Sequence, residues 1–111
     1  MNIPDIQKRM RAGEPIAPDQ ISKMLVQLAG EYAYYASMME SILVDKPHKW
    51  SQIRSGEEIG SDKQCDREWD KTDAGKDEIG LRLRMKSIEK MMSALRSMAE
   101  TARRELDNVN L

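Results

Sequence analysis

In LRLRMKSIEKMM, residues 81–92, Arg82, Lys86 and Lys90 recur at every fourth position, and Arg96 and Arg103 follow further along the chain. At about 100° per residue these five side chains fall within an arc of roughly 140° on one side of a helix. Cations one turn apart stand about 5–6 Å from each other, close to the phosphate separation along an extended nucleic-acid strand. Each phosphate neutralised in this way releases counterions and makes binding salt-sensitive. The same line of cations also suits a plain solvated face, or flanking positions paired with acids of a neighbouring helix. A second basic stretch, DKPHKW, holds Lys46, Lys49 and Trp50. An indole beside lysines can stack on an unpaired base. It can equally close the end of a helical pair.

Other reactive constellations are sparse. Cys65 is the single cysteine and His48 the single histidine, and no motif surrounds either. A Cys–His nucleophile is conceivable only as a bare pairing of residue types, and one cysteine forms no intrachain disulfide and no CxxC metal framework. The acids of 55–78 are scattered without a histidine or an opposed carboxylate, so they resemble neither a di-metal centre nor a glycosidase pair. AGKDEIG lacks the spacing and the strand–loop–helix setting of a phosphate-binding loop. We expect no enzyme, no metal and no cofactor.

The cations must be carried by something, and the apolar residues say what. Leu81, Met85, Ile88, Met92, Leu95, Ala99, Ala102, Leu106 and Val109 alternate spacings of four and three. No strand supplies that pattern, whereas a helix packed lengthwise against another requires it. Ile21, Leu25, Leu28, Tyr32, Tyr35, Met39 and Ile42 trace a second such line. Pro18-Asp19 opens that helix, because proline is tolerated in the first turn and an early acid complements the helix dipole. Pro47 should end it, since proline pushes its predecessor out of the helical region.

The expected organisation is a single domain. It comprises a mobile or partner-docked arm over 1–17, a first long helix over 18–46, a connector over 47–60, and a second long helix over 61–111. Ser61 with Gln64 fits a capping box at the start of the second helix. Gly75 and Gly80 weaken that helix and mark a bend or a break near 75–80. The fold class is all-α: a long antiparallel αα-hairpin, coiled-coil-like, whose lines run about 42 Å each. Two helices leave apolar flanks at Met24, Met38, Met91 and Met98, so assembly into a helical oligomer is expected. Trp69, Met91, Leu95, Met98, Ala102 and Leu106 are the candidate interface.

Composition agrees with helices. The 111 residues contain nine methionines, no phenylalanine and 33% charged side chains. Straight-chain apolar residues lose little rotamer freedom in a helix. The net charge of −1 conceals net −5 over 55–78 and net +3 over 79–111. Such asymmetry points to an anionic partner or to head-to-tail self-association. No apolar run reaches the roughly 18 residues of a membrane span, and MNIPDIQKRMRAGEP has no apolar core of a signal peptide, so a cytoplasmic location is expected.

The run SDKQCDREWDKTDAGKDEIGLRLRMKSIEKMMSALRSMAETARRE, with the tyrosine-bearing helix and the Lys49-Trp50 turn before it, resembles small helical phage proteins of the UvsY-type recombination mediator kind. WDKTDAGK (Trp69–Lys76) and SALRS (Ser93–Ser97) carry the likeness, which covers residues 18–105. The resemblance implies a protein of the host cell cytoplasm that binds single-stranded DNA, oligomerises through its C-terminal helix and helps load a recombinase onto strands coated by a single-strand-binding protein. It places Lys49 and Trp50 on DNA, and Arg96 near the interface or the strand. The nucleic-acid candidates are therefore Lys46, Lys49, Trp50, Arg82, Lys86, Lys90 and Arg96, in a phage accessory protein assisting recombination or replication. The competing expectation is a coiled-coil protein that binds and modulates a host or phage protein, or serves in particle assembly.

Overall fold

Four helices, and no strand, make up the described residues: α1 (Ile3–Ala12), α2 (Pro18–Arg54), α3 (Asp62–Lys71) and α4 (Asp73–Val109). The computed structural model describes residues 2–56 and 60–109; Glu57, Glu58 and the side chain of Val109 lie outside them. The chain divides into two compact units, one of residues 1–33 with 86–111 and one of residues 34–85.

The first unit is built on α1, the start of α2 and the end of α4. Its buried side chains are Ile6, Ile16, Ile21, Met24, Leu28, Ile88, Met91 and Leu95. Within the expected arm of residues 1–17, α1 is a ten-residue helix. The physical reason is a complete set of local caps. The Asn2 side chain accepts from the Asp5 N–H at 2.9 Å, and the Asp5 carboxylate accepts from the Asn2 N–H at 3.4 Å. At the other end Gly13 adopts a left-handed φ of 68° and its N–H returns to the Met10 carbonyl. Both ends thus satisfy backbone groups that helix termini leave open, and Ile6 is fully buried.

The second unit holds the rest of α2, α3 and the start of α4, with Met39, Cys65, Trp69 and Leu81 buried. Helix α2 does not stop at Pro47 but continues through it to Arg54. Proline removes one helical hydrogen bond at a cost of about 3 kcal/mol or more. The turns beyond it are held from the side by contacts with α3. Trp50 Nε1 donates to Asp66 at 2.9 Å, Arg54 pairs with Asp62 at 3.0 Å, and the Cys65 thiol lies 3.5 Å from the Trp50 carbonyl. The connector is correspondingly shorter than 47–60.

Residues 61–109 are not one helix bent at glycine. The break is at Thr72, whose ψ of 159° is extended. Its hydroxyl donates to the Trp69 carbonyl at 2.6 Å and accepts from the Gly75 N–H at 3.0 Å, so one side chain ends α3 and begins α4. Gly75 and Gly80 lie inside α4. A Cβ at Gly75 would collide with the Trp69 carbonyl group and lie 2.9 Å from the Asp70 Cα. That glycine permits the sharp turn beside it. At the start of α3, the Ser61 hydroxyl accepts from the Gln64 N–H, and the Gln64 side chain accepts from the Gly60 N–H.

Candidate functional site

The apolar line of α4, extended backwards by one step of three, lands on Glu78. The line of α2, extended forwards by four, lands on Lys46. A carboxylate and an ammonium therefore occupy positions where each helix otherwise places apolar side chains. Lys46 Nζ donates to both carboxylate oxygens of Glu78, at 3.0 and 3.1 Å. Trp69 Nε1 donates to the same carboxylate at 2.7 Å, and Arg82 at 2.8 Å. The Lys46 ammonium also stands 5.3 Å from the centre of the Trp69 ring, within cation–π range.

Glu78 is only 4% exposed. Burial works to raise its pKa, but the Trp69 and Lys46 hydrogen bonds and the charges of Lys46 and Arg82 outweigh that, and the carboxyl is held below its ordinary value. Glu78 is thereby favoured in its ionised form, one carboxylate facing two cationic side chains. Among the described residues no buried side-chain polar atom lacks a hydrogen bond.

This arrangement divides the predicted nucleic-acid residues. Lys46 and Arg82 serve Glu78, and Trp50 is half-buried with its N–H on Asp66 rather than presented as an open stacking surface. Lys49 is exposed beside a groove that Trp69, Thr72 and Asp73 also line. In the first unit Lys86, Lys90 and Arg96 project from α4 as exposed side chains, and none makes an ion pair among the described residues. Glu89, between the two lysines, accepts the Tyr32 hydroxyl proton at 2.8 Å. That hydrogen bond, with burial and the Glu89 charge, raises the Tyr32 pKa.

The predicted interface residues also divide. Trp69, Met91 and Leu95 are 1%, 8% and 0% exposed in the single chain, and Met24, expected on a flank, is 2% exposed. These side chains are buried in the chain's own core. Met98 and Ala102 are half-buried, and Leu106 is 60% exposed. Burial shifts the core face of α4 toward Met91 because both helices carry apolar side chains at adjacent wheel positions.

Glu78 was missed as a site residue because in sequence it is one acid among nine. The signal available was its place on the backward extension of the apolar line, four residues before Arg82. Cys65 is fully buried and its thiol approaches the Trp50 carbonyl; burial, then Asp66, pushes its pKa up, with Asp62 adding to the effect and Arg54 opposing it. Among the described residues no group of three or more histidines, cysteines or carboxylates could hold a metal ion, and no helix is long and apolar enough to cross a membrane. Comparison of the chain with protein-family models, curated proteins and solved structures finds no match.

Proposed function

We propose that this chain is a non-enzymatic helical accessory protein that binds single-stranded DNA along the outer face of α4 and assists recombination or replication carried out by other proteins. The observation that carries the reading is the set of exposed cations Lys86, Lys90 and Arg96 without ion-pair partners among the described residues. Lys86 and Lys90 stand one turn apart, and Arg96 follows about 9 Å further along the axis. Such cations follow a phosphate backbone without reading sequence, since phosphate contacts position a strand and do not specify it. The resemblance to UvsY-type mediators supports the same reading, with a recombinase or a single-strand-binding protein as further partners.

The working unit in this proposal is an oligomer of antiparallel αα-hairpins. The antiparallel pairing is supported by the order of contacts in the second unit. There Lys46 meets Glu78, while Tyr35, earlier on α2, lies 5.8 Å from Arg84, later on α4. Falling numbers on α2 meet rising numbers on α4.

The test is fluorescence anisotropy with a labelled oligonucleotide across a salt series. Neutralising roughly three phosphates lowers affinity on the order of tenfold between about 50 and about 200 mM salt. The triple variant Lys86→Ala/Lys90→Ala/Arg96→Ala should abolish most of that binding and its salt slope. Absence of binding at low salt, or binding indifferent to the triple variant, removes the proposal.

One observation favours a second reading, a coiled-coil interaction protein that engages a phage or host protein or takes part in particle assembly. Tyr34, Met38, Ile79 and Leu83 are 62%, 42%, 43% and 62% exposed in the second unit. Exposed apolar side chains become interaction faces where they lie together. A stable oligomer with no nucleic-acid affinity at low salt selects this reading.

A further inference from the structure

We propose that Tyr32 is a positioning residue for the cation face of α4: its hydroxyl holds the Glu89 carboxylate toward α2, so that Lys86 stays free for a phosphate. The inference rests on the single-stranded DNA reading above and names a residue, outside the line of cations, that keeps that line open.

Side chains three or four positions apart on a helix are neighbours. For Lys86, Lys90 and Arg96 those positions hold two acids: Glu89, three residues after Lys86, and Glu100, four after Arg96. At about 100° per residue both acids fall inside the arc that the three cations occupy. Each is placed to pair with its cation and to cancel part of the charge that a strand would meet.

Neither does so. Glu100 pairs with Arg104 at 2.7 Å, and Glu89 accepts the Tyr32 hydroxyl proton at 2.8 Å. Glu100 is drawn off within α4, by an arginine four residues later, which is the favoured order for such pairs. The corresponding position for Glu89 is Ser93, so α4 has no cation there to draw it off. Its partner comes instead from α2. The hydrogen bond to Glu89, then burial and the Glu89 charge, raise the Tyr32 pKa, so the phenol keeps the proton it donates. Tyr32 is half-buried and Glu89 is exposed. The carboxylate therefore sits at the rim of the packed helices, where the phenol decides which way it turns. All of these residues belong to the first unit.

Anisotropy of a labelled oligonucleotide at low salt tests this. Tyr32→Phe removes one oxygen and should weaken binding about twofold, the size of one exposed helical ion pair, with circular dichroism unchanged. Glu89→Gln should bind at least as tightly as the wild type, and adding Tyr32→Phe to it should change nothing. A purely structural role for the phenol lowers affinity in both backgrounds. Equal losses in the two backgrounds therefore overturn the inference, as does a Tyr32→Phe protein with wild-type affinity. Lys86 reports on the same contact without DNA. Its side-chain resonances, identified by their loss in Lys86→Arg, should move in Tyr32→Phe and should not move when the same change is made in Glu89→Gln. If the wild type binds no oligonucleotide, the DNA reading falls, and these resonances alone decide whether Tyr32 holds Glu89 off Lys86. Resonances that Tyr32→Phe leaves in place overturn it.

Discussion

Trp69 reaches across the break between α3 and α4 to place its indole N–H 2.7 Å from the carboxylate of Glu78, nine residues later. That hydrogen bond ties the short acidic helix to the first turns of the long one. It also supplies a donor to a carboxylate that is shielded from water. Together with Lys46 and Arg82 it makes Glu78 the polar centre of the second unit.

Removing that charge should be costly. Glu78→Gln keeps the shape but leaves Lys46 and Arg82 facing a neutral amide, and hydrogen bonds to charged groups are worth about 1.5–3 kcal/mol. We expect a loss in that range, read as a lower urea midpoint at neutral pH with an unchanged slope. Glu78→Leu should cost less than the loss of three interactions suggests if Lys46 can extend to water, and the pair of variants separates charge from shape.

The same carboxylate sets an acid dependence. Its folded pKa lies below the ordinary value. The stabilisation is therefore fully present above the unfolded value of about 4.3 and is lost as pH falls through the lower folded value. Urea midpoints measured from neutral pH down through the carboxylate range should fall in the wild type and fall less steeply in Glu78→Gln. Trp69→Phe, which removes one donor, should move the wild-type decline to higher pH.

Two glycines should respond in opposite directions to alanine. Gly75→Ala drives a methyl into the Trp69 carbonyl group and should destabilise by about 1–3 kcal/mol or more. At Gly30 a Cβ meets nothing within 4 Å and the backbone is already helical, so Gly30→Ala should stabilise by up to about 1 kcal/mol. Thermal melts of the two variants check both signs.

Cys65 should behave as an inert thiol. It is fully buried, and burial keeps it protonated above its ordinary range. The thiolate is the reactive form. Alkylation at mildly alkaline pH should be more than about a hundredfold slower than in urea, because it waits for the second unit to open. Labelling at the same rate in both conditions would contradict the packing of α3.

Much of the helical layout was readable in the residues, and the misses have physical causes. The alternation of four and three along 21–42 and 81–106 placed both long helices, since burial along a helix demands that period. Met24 and Met91 were assigned to flanks because the wheel gives adjacent positions nearly equal claims on the core. Only tertiary packing decides between neighbours such as Met91 and Met92. Pro47 was read as a stop because local sterics argue so, but the weight of Trp50, Arg54 and Cys65 against it is nonlocal. Gly75 was read as marking a bend or a break; the break lies three residues earlier, at Thr72, and Gly75 permits it by leaving room for the Trp69 carbonyl. The candidate cations split because paired and unpaired lysines look alike in sequence. Lys46 differs from Lys86 only through Glu78, 32 positions away.

Pro47 has no N–H to offer the Leu43 carbonyl, so the turns of α2 beyond it do not inherit their rigidity from the turns before it. They are held from the side, by Asp66 on Trp50 and Asp62 on Arg54. Amide protons of residues 50–54 should therefore exchange with solvent at the pace of α3 and not at the pace of Met39. A continuous rod in outline is, in its opening motions, two rods sharing a backbone.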